Sequence, residues 1–564
     1  MNADHTASDL LAAFERYNQQ FAEITRRARK HFLASDWQGL QAETMRRYAL
    51  YDQCVNQVCK RLRQQLAPRH TDPALWRHIR HAYWQRARDH NDLELTLTFY
   101  NSVSRRVCQT IGVAPDIEFL ADQIDPAERV ETDPHLTLVA LDESPHACIA
   151  ELLANCELGE HLGDCDALAE RIWPLLADRW QHTETDPPLE RLEMLPAVFY
   201  QHARAYLVGR AVGGEQQMPV LLAMACDDGQ VRFDALLTSP AETSMIFGFT
   251  RSYCMADLKQ VSQAVVFLRK LMPHKPLAEL YTVLGRVKQG KTERFRHFLQ
   301  ALGNSDQAIT AAPGIRGMVM IVFWLPGLDL VFKVIRDRFD YPKSVRHRQV
   351  LERYRLVFQH DRAGRLIDAQ EYRELCIPLA RFSDAMRKEL LTEARRSTEL
   401  RGDTLVIHHC YTERRLTPLN LYLQQASEAD AREVIQDYGQ AIRDLAISNI
   451  FPGDLLLKNF GVTRHRRVIF YDYDEICLLT DCRFRRLPEA PDESLDLFQG
   501  HCTQVDEFDI FPEQFPPFMG LNQQQQAWFR QDHAELLDPA WWQATQERIR
   551  THGDAGQIVP YKVT

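Results

Sequence analysis

The sequence predicts an α+β protein in two parts: a mainly helical first part ending near residue 310, and a second part that opens with strands and continues mostly as helices. Three observations predict it. Apolar residues recur at helical spacing over most of the first 310 positions, a strand–turn–strand pattern begins just after, and helical periodicity then resumes around one extended segment. At 564 residues the chain is long enough to bury more than one core.

From Ser8 to Leu66 the apolar positions Leu11, Phe14, Tyr17, Phe21 and Ile24, then Phe32, Leu40, Tyr48, Tyr51, Val55 and Val58, keep a helical period with Arg, Gln and Glu between them. Thr71-Asp72-Pro73 is a helix start, a capping side chain before a proline in the first turn. The helix it opens, ALWRHIRHAYWQRARD, reads as core packing plus a solvated face, with an anion or nucleotide site as the alternative. Between about 195 and 250 the pattern changes, and VLLAMACDDGQVRFDALLTS, which alternates around Asp228-Gly229, predicts a β-hairpin turning there. Helical spacing returns from Met255 to Leu302. GNSDQAITA, at 303–311, is the domain boundary, giving parts 1–310 and 311–564. Beyond it AAPGIRGMVMIVFWLPGLDLVFKVIRD reads as loop, strand, Pro326-Gly327 turn and strand. VRHRQVLERYRLVFQ is a helix, TLVIHHCY a strand, TPLNLYLQQ and AREVIQDYGQAIRDLAI are helices, and GVTRHRRVIFYD is a pair of strands.

A net charge of −10 argues against nucleic acid as the main partner. The 13 cysteines form no CxxC pair or Cys/His ligand spacing, which suggests reduced thiols in a cytosolic protein. The acidic N-terminus does not read as a secretory signal. The longest strongly apolar run, MVMIVFWL, falls far short of the roughly 20 residues that span a bilayer. A cytoplasmic protein with no membrane or nucleic-acid partner is expected.

The most informative stretch is FPGDLLLKNFGVTRHRRVIFYDYDE. It sets Asp454 and Asn459 on one loop and returns through a short hairpin to Asp472. Protein kinases use this order: an aspartate that takes the substrate hydroxyl proton, then an asparagine and a second aspartate that hold metal. The flanks, Pro452-Gly453-Asp454 and Asp472-Tyr473-Asp474, are not the usual ones, so the reading is an atypical, bilobal protein-kinase-like domain. Asp454 is the expected base, Asn459 and Asp472 the expected Mg²⁺ ligands, and Lys458 can reach a phosphate. The loop Ala312, Pro313, Gly314, Ile315, Arg316, Gly317, Met318 can bring backbone N–H groups to phosphate oxygens. Lys333, within the apolar strand LVFKVI, is costly to bury unless it meets an anion. Glu352 on the following helix is the expected partner of that lysine, and Glu413 lies where a hinge would meet adenine. Asp474 and Glu475 add carboxylates beyond what a kinase requires, either solvated or placed to handle a water. Gly285 to Thr292 fits the Walker A pattern, but the segment before it reads as helix, so a helix–helix turn is expected. His408-His409 reads as strand packing rather than metal ligation.

APGIRGMVMIVFWLPGLDLVFKVIRDRF, NIFPGDLLLKNFGVTRHRRVIFYDYDEIC and TERRLTPLNLYL closely resemble bacterial isocitrate dehydrogenase kinase/phosphatase, and the resemblance covers the whole chain. It implies a regulatory domain followed by a kinase-like domain. It implies ATP and ADP as nucleotides, Mg²⁺ or Mn²⁺ as metal, and AMP as an allosteric effector. The implied partner is isocitrate dehydrogenase, phosphorylated on a serine and dephosphorylated again at the entry to the glyoxylate bypass; a homodimer is left open. Carried over, Ala312 to Met318 and Lys333 hold ATP, Asp454 is the base, Asn459 and Asp472 hold Mg²⁺, and Asp368 in GRLIDAQEY serves the phosphatase activity. The rivals are a small-molecule kinase with the same Asp-x₄-Asn logic and a non-catalytic nucleotide-sensing protein.

Overall fold

The helices Ala3–Leu33, Trp37–Gln65, Pro73–Ala87 and Leu93–Cys108 pack around an aromatic cluster in which Tyr17 meets Tyr51 edge-on at 5.2 Å and Phe14 meets Phe99 at 5.9 Å. The helical period noted above therefore faces inward. The Asp72 carboxylate accepts from Ala74 N at 2.9 Å and caps the third helix. That helix buries Trp76 and Tyr83, and Arg80 pairs with Asp122, so its face is used for packing. The computed structural model describes residues 3–122, 136–141, 144–180, 187–227, 229–248, 254–339, 346–360, 364–487, 509–552, 556, 558, 559 and 561. The chain divides into two units, Met1–Ser305 with Val559–Thr564, and Asp306–Ile558.

The first unit also holds an antiparallel sheet of five strands in sequential order: β1 (Thr137–Ala140), β2 (Arg191–Gln201), β3 (Arg204–Gly213), β4 (Gln216–Asp227) and β5 (Gln230–Leu237). It is larger than the one hairpin legible in the sequence. The hairpin is there, with Asp227 opposite Gln230, although Asp228 of its turn lies outside the described residues. Every position of β3 is buried, so the strand lacks the period of two that marks a half-exposed strand. The Walker-like stretch joins helix Leu277–Val283 to helix Val287–Asn304 with no strand before it. A Cβ on Gly290 would come within 2.5 Å of the Ala278 carbonyl oxygen, so this glycine closes two helices and cradles no phosphate.

In the second unit a sheet is built from β6 (Thr310–Ala311), β7 (Met320–Trp324), β8 (Leu330–Ile335), β9 (Gln370–Pro378), β10 (Thr398–Arg401) and β11 (Thr404–Arg414). The order is β10-β11-β8-β7-β6, with β9 also paired to β11. Helix His347–His360 follows β8, and helices Glu428–Ile447, Gln523–Asp532 and Pro539–His552 lie downstream. The second unit's core joins Tyr438, Leu445, Phe460, Phe470, Phe529 and Trp542. The α+β expectation, helices first and a kinase-like sheet second, holds. On β11, His408 pairs with Glu374 and Glu399 while His409 pairs with Glu371, consistent with strand packing. Among the described residues no helix is long and apolar enough to cross a membrane.

Candidate active site

Two short strand pairings bring the predicted acids together. Ile450–Phe451 pairs with Cys477–Leu478, and Phe460–Val462 pairs with Val468–Phe470. Between these clamps the Asp454 loop and the Asp472–Glu475 segment must run side by side. Gly453 marks the closest approach: at φ +81° it lies so near Glu475 that a Cβ would fall 2.6 Å from the Glu475 carbonyl oxygen. Tyr471 N donates to Asn459 O at 3.1 Å, and the Tyr471 hydroxyl donates to the Lys458 carbonyl. From below, the Tyr438 hydroxyl of helix Glu428–Ile447 donates to the Leu455 carbonyl.

Asp454 is half-buried, and its Oδ1 accepts from Leu456 N at 3.0 Å, which orients the carboxylate. Asn459 Nδ2 donates to the Asp454 carbonyl at 3.3 Å, so the amide presents Oδ1 as its free ligand atom. The half-buried Asp472 carboxylate accepts no hydrogen bond and makes no ion pair among the described residues. An amide oxygen and an uncommitted carboxylate are the hard oxygen donors that Mg²⁺ takes when phosphate oxygens and water complete its shell. The donor set therefore fits that metal. No cluster of three or more His, Cys, Asp or Glu among the described residues could hold a metal alone. Lys458 is half-buried and its ammonium makes no ion pair among the described residues, which suits an anionic ligand.

Lys333 corrects two expectations. Its Nζ lies 2.7 Å from Glu413 Oε2 and donates to the Tyr471 carbonyl at 2.9 Å. Glu352, the expected partner, instead pairs with Arg348 at 2.8 Å on the exposed face of its helix. Glu413, expected at adenine, is 1 % exposed and committed to the lysine. The reason lies in the register. Glu413 sits opposite Val331 and Tyr411 opposite Lys333 across β11 and β8, so Glu413 and Lys333 are diagonal neighbours on one face. Burial raises the Glu413 carboxyl above the usual range, and Lys333 pulls against that.

The loop from Ala312 to Met318 is the tip of the β6–β7 hairpin, with Pro313 to Arg316 exposed. Gly317 is required by a close approach, because a Cβ there would come 2.6 Å from the Met320 carbonyl oxygen. The Arg316 guanidinium is held by Glu389 (3.2 Å) and Glu393 (2.7 Å). Arg336 binds the same two carboxylates and donates to the Gly317 carbonyl at 3.1 Å. The Arg316 side chain is thus committed to carboxylates of the fold itself.

Asp368 arrives by a parallel run. Phe470 N donates to Arg365 O at 2.8 Å, Leu366 bridges Phe470, and Ile367 N donates to Phe470 O at 3.2 Å. Two residues beyond that bridge, Asp368 flanks the strand end that delivers Asp472. It is buried and accepts from Gln370 Nε2 at 2.8 Å. The Tyr473 hydroxyl donates to the Ile367 carbonyl at 2.8 Å and locks the run in place. Asp474 is buried and Glu475 half-buried beside Gly453.

Residues 307–563 match the isocitrate dehydrogenase kinase/phosphatase (AceK) kinase domain, and residues 7–306 match the regulatory domain of the same family. A protein named isocitrate dehydrogenase kinase/phosphatase from Xanthomonas euvesicatoria pv. vesicatoria (strain 85-10) is 44% identical, covering 98% of this chain and 96% of the relative. A protein of the same name from Anaeromyxobacter sp. (strain Fw109-5) is 42% identical, covering 99% and 96%. The chain belongs to the isocitrate dehydrogenase kinase/phosphatase family. Every group of the site lies inside the kinase-domain match of that family, and membership in a kinase family implies a nucleotide ligand.

Sequence reasoning missed the residues that hold the functional groups rather than the groups themselves. Arg365 carries the run to Asp368: it is buried, with Nε on Asp444 at 2.7 Å and both terminal nitrogens on Asp437 at 2.7 and 2.8 Å. Nothing in GRLIDAQEY marks it. Tyr438 and Tyr471 act through a hydroxyl on a distant carbonyl, which leaves no local signature.

Proposed function

We propose that this chain is a bifunctional enzyme that phosphorylates a serine of isocitrate dehydrogenase and also removes that phosphate, setting the branch between the tricarboxylic acid cycle and the glyoxylate bypass. The observation that carries it is the joining of Asp454, Asn459, Asp472 and Lys333 in one site, with Asp368, Asp474 and Glu475 beside them. Asp454 takes the proton of the incoming serine hydroxyl. Lys333, Lys458 and the backbone N–H groups of Ala312 to Met318 hold the phosphates of ATP or ADP. Asn459 and Asp472 hold Mg²⁺, or Mn²⁺ in its place, which when bound neutralises phosphate charge. For removal, ADP in the same nucleotide site accepts the phosphoryl group as its bond to the serine oxygen breaks and the serine hydroxyl is restored; Asp474 or Glu475 then aids attack of water on that phosphoryl group, releasing phosphate and ADP, and Asp368 supports that arrangement. The part before residue 310 is read as regulatory, with AMP as its effector, and the enzyme as cytoplasmic.

The test is transfer of labelled γ-phosphate from ATP–Mg²⁺ to purified isocitrate dehydrogenase, chased with ADP and unlabelled phosphate. Label entering a serine and then leaving supports both activities. Label that never enters the dehydrogenase but appears on a small acceptor would favour a small-molecule kinase, and nucleotide binding without turnover a sensor. Asp454→Ala separates the directions: if it abolished phosphorylation and left dephosphorylation intact, a shared base would be ruled out.

A further inference from the structure

Ordinary protein kinases hold the nucleotide-binding lysine with a glutamate from the helix that follows its strand. Helix His347–His360 occupies that place here, yet its glutamate points elsewhere, at Arg348. We propose that Glu413 and Tyr354 are the positioning residues for Lys333, so that the lysine clamp is built into the sheet instead of being lent by the helix. The proposal rests on the reading of Lys333 as the phosphate-binding lysine.

Six contacts support it. Glu413 Oε2 holds Lys333 Nζ at 2.7 Å, from the neighbouring strand. The Tyr354 hydroxyl donates to the other oxygen, Oε1, at 3.4 Å. The Tyr354 ring lies flat on Tyr411 at 3.8 Å, 10° from parallel, and edge-on to Tyr473 at 5.2 Å. Lys333 is then fixed on its other side by the Tyr471 carbonyl and lies over the Tyr471 ring at 5.4 Å. The helix thus supplies a hydroxyl to the carboxylate where other kinases supply a carboxylate to the lysine. Lys333 and Glu413 are both more than nine-tenths buried, so each is costly to leave without the other. Since both sit on paired strands of one sheet, no swing of the helix can separate them.

The variants are Glu413→Gln, Tyr354→Phe, Lys333→Met and Glu352→Gln in the full chain, titrated calorimetrically with Mg–ADP and assayed for KM and kcat with ATP. Glu413→Gln should weaken Mg–ADP binding about tenfold or more, the least that loss of a charge-assisted hydrogen bond costs. Tyr354→Phe should weaken it about threefold, by loss of one neutral donor. Glu352→Gln should bind Mg–ADP as the parent does. In a Lys333→Met background Glu413→Gln should have almost no further effect, because Glu413 acts through the lysine. A purely structural role would instead lower thermal stability while leaving the loss unchanged in that background. Parent-like binding by Glu413→Gln, or an equal loss in Glu352→Gln, would overturn the proposal. If Glu413→Gln does not fold, Tyr354→Phe decides: weakened binding supports the clamp and parent-like binding overturns it. Mg–ADP binding is read without the dehydrogenase, so a failure of the proposed protein substrate would leave this result standing.

Discussion

Gly453→Ala is the sharpest perturbation of the site, because one methyl group tests whether the Asp454 loop must touch the Asp472–Glu475 segment. Gly453 has φ +81°, where an L residue costs about 1–2 kcal/mol. The new Cβ would lie 2.6 Å from the Glu475 carbonyl oxygen and 2.7 Å from Glu475 Cβ. One contact is backbone, so rotamer change gives no escape, and overpacking of this kind costs a further 1–3 kcal/mol or so. The expected destabilisation is roughly 2–5 kcal/mol, partly relieved by moving the loop away from Glu475. A displacement near 1 Å separates Asp454 from Asp472, and misplacement on that scale costs about a hundredfold in rate. Gly327→Ala is the control. Its φ of +87° carries the same backbone strain, but nothing lies within 4 Å of the added Cβ. The assay is ATP turnover beside thermal unfolding for both variants. Gly327→Ala should lose about 1–2 kcal/mol and keep its turnover, whereas Gly453→Ala should lose more stability and most of its turnover. Turnover in Gly453→Ala within about threefold of the control would show that the loops need not touch, and refute the reasoning.

Three further outcomes follow from the same contacts. Arg365→Met takes from Asp437 and Asp444 the buried guanidinium they share, leaving Arg467 as the cation near Asp437, and should cost about 3 kcal/mol in urea unfolding of the second unit, with loss of dephosphorylation if Asp368 has its proposed role. Lys458→Ala removes an uncommitted half-buried ammonium, so KM for ATP should rise while thermal stability stays near that of the parent. The hydrogen bond from His409, helped by Arg373, holds the Glu371 carboxyl down at about 2. A depressed carboxylate stabilises the fold above its unfolded value of about 4.3 and loses that contribution as pH falls towards 2. His409→Gln should therefore flatten the fall in stability between about pH 4.5 and 2, read by denaturant midpoints.

The legible part of the site was the part carried by spacing. Asp454, Asn459 and Asp472 share a short stretch whose ends are tied by local strand pairs, so their order in sequence is close to their order in space. Lys333 was legible because a lysine amid Leu, Val, Phe and Ile needs an explanation. Its partner was not. Glu413 lies 80 positions away, and only the β11–β8 register makes the two diagonal neighbours; a slip by one residue would turn Glu413 to the other face. The period of two in HHCYTER does place His409, Tyr411 and Glu413 on one face, but not which strand that face meets. Only one hairpin of the five-stranded sheet is legible for a related reason: β3 is buried at every position, including Arg204 and Arg210, whose partners Asp234 and Glu193 lie on other strands, so it shows no alternation of buried and exposed positions.

These fixings bear on how one site can serve opposed reactions. Several of the functional groups are tied down by something other than a ligand: Lys333 by Glu413 and the Tyr471 carbonyl, Asp454 by Leu456 N, the Asp454 loop by Tyr438, and the Asp368 run by Arg365 and Tyr473. Even the glycine loop is anchored through Arg316 and Arg336 to Glu389 and Glu393. A kinase that assembles its lysine–glutamate pair by moving a helix can be switched by that movement. A pair whose two residues sit on adjacent paired strands is not assembled or released by moving a helix, because the strands that carry it stay together. If phosphorylation and its reversal both run here, the choice between them must lie in which nucleotide and which form of the dehydrogenase is bound, since a ligand shifts an equilibrium only by its differential affinity for the two states. Control by an effector would then act on occupancy or on access of the protein substrate, with the clamp itself unchanged.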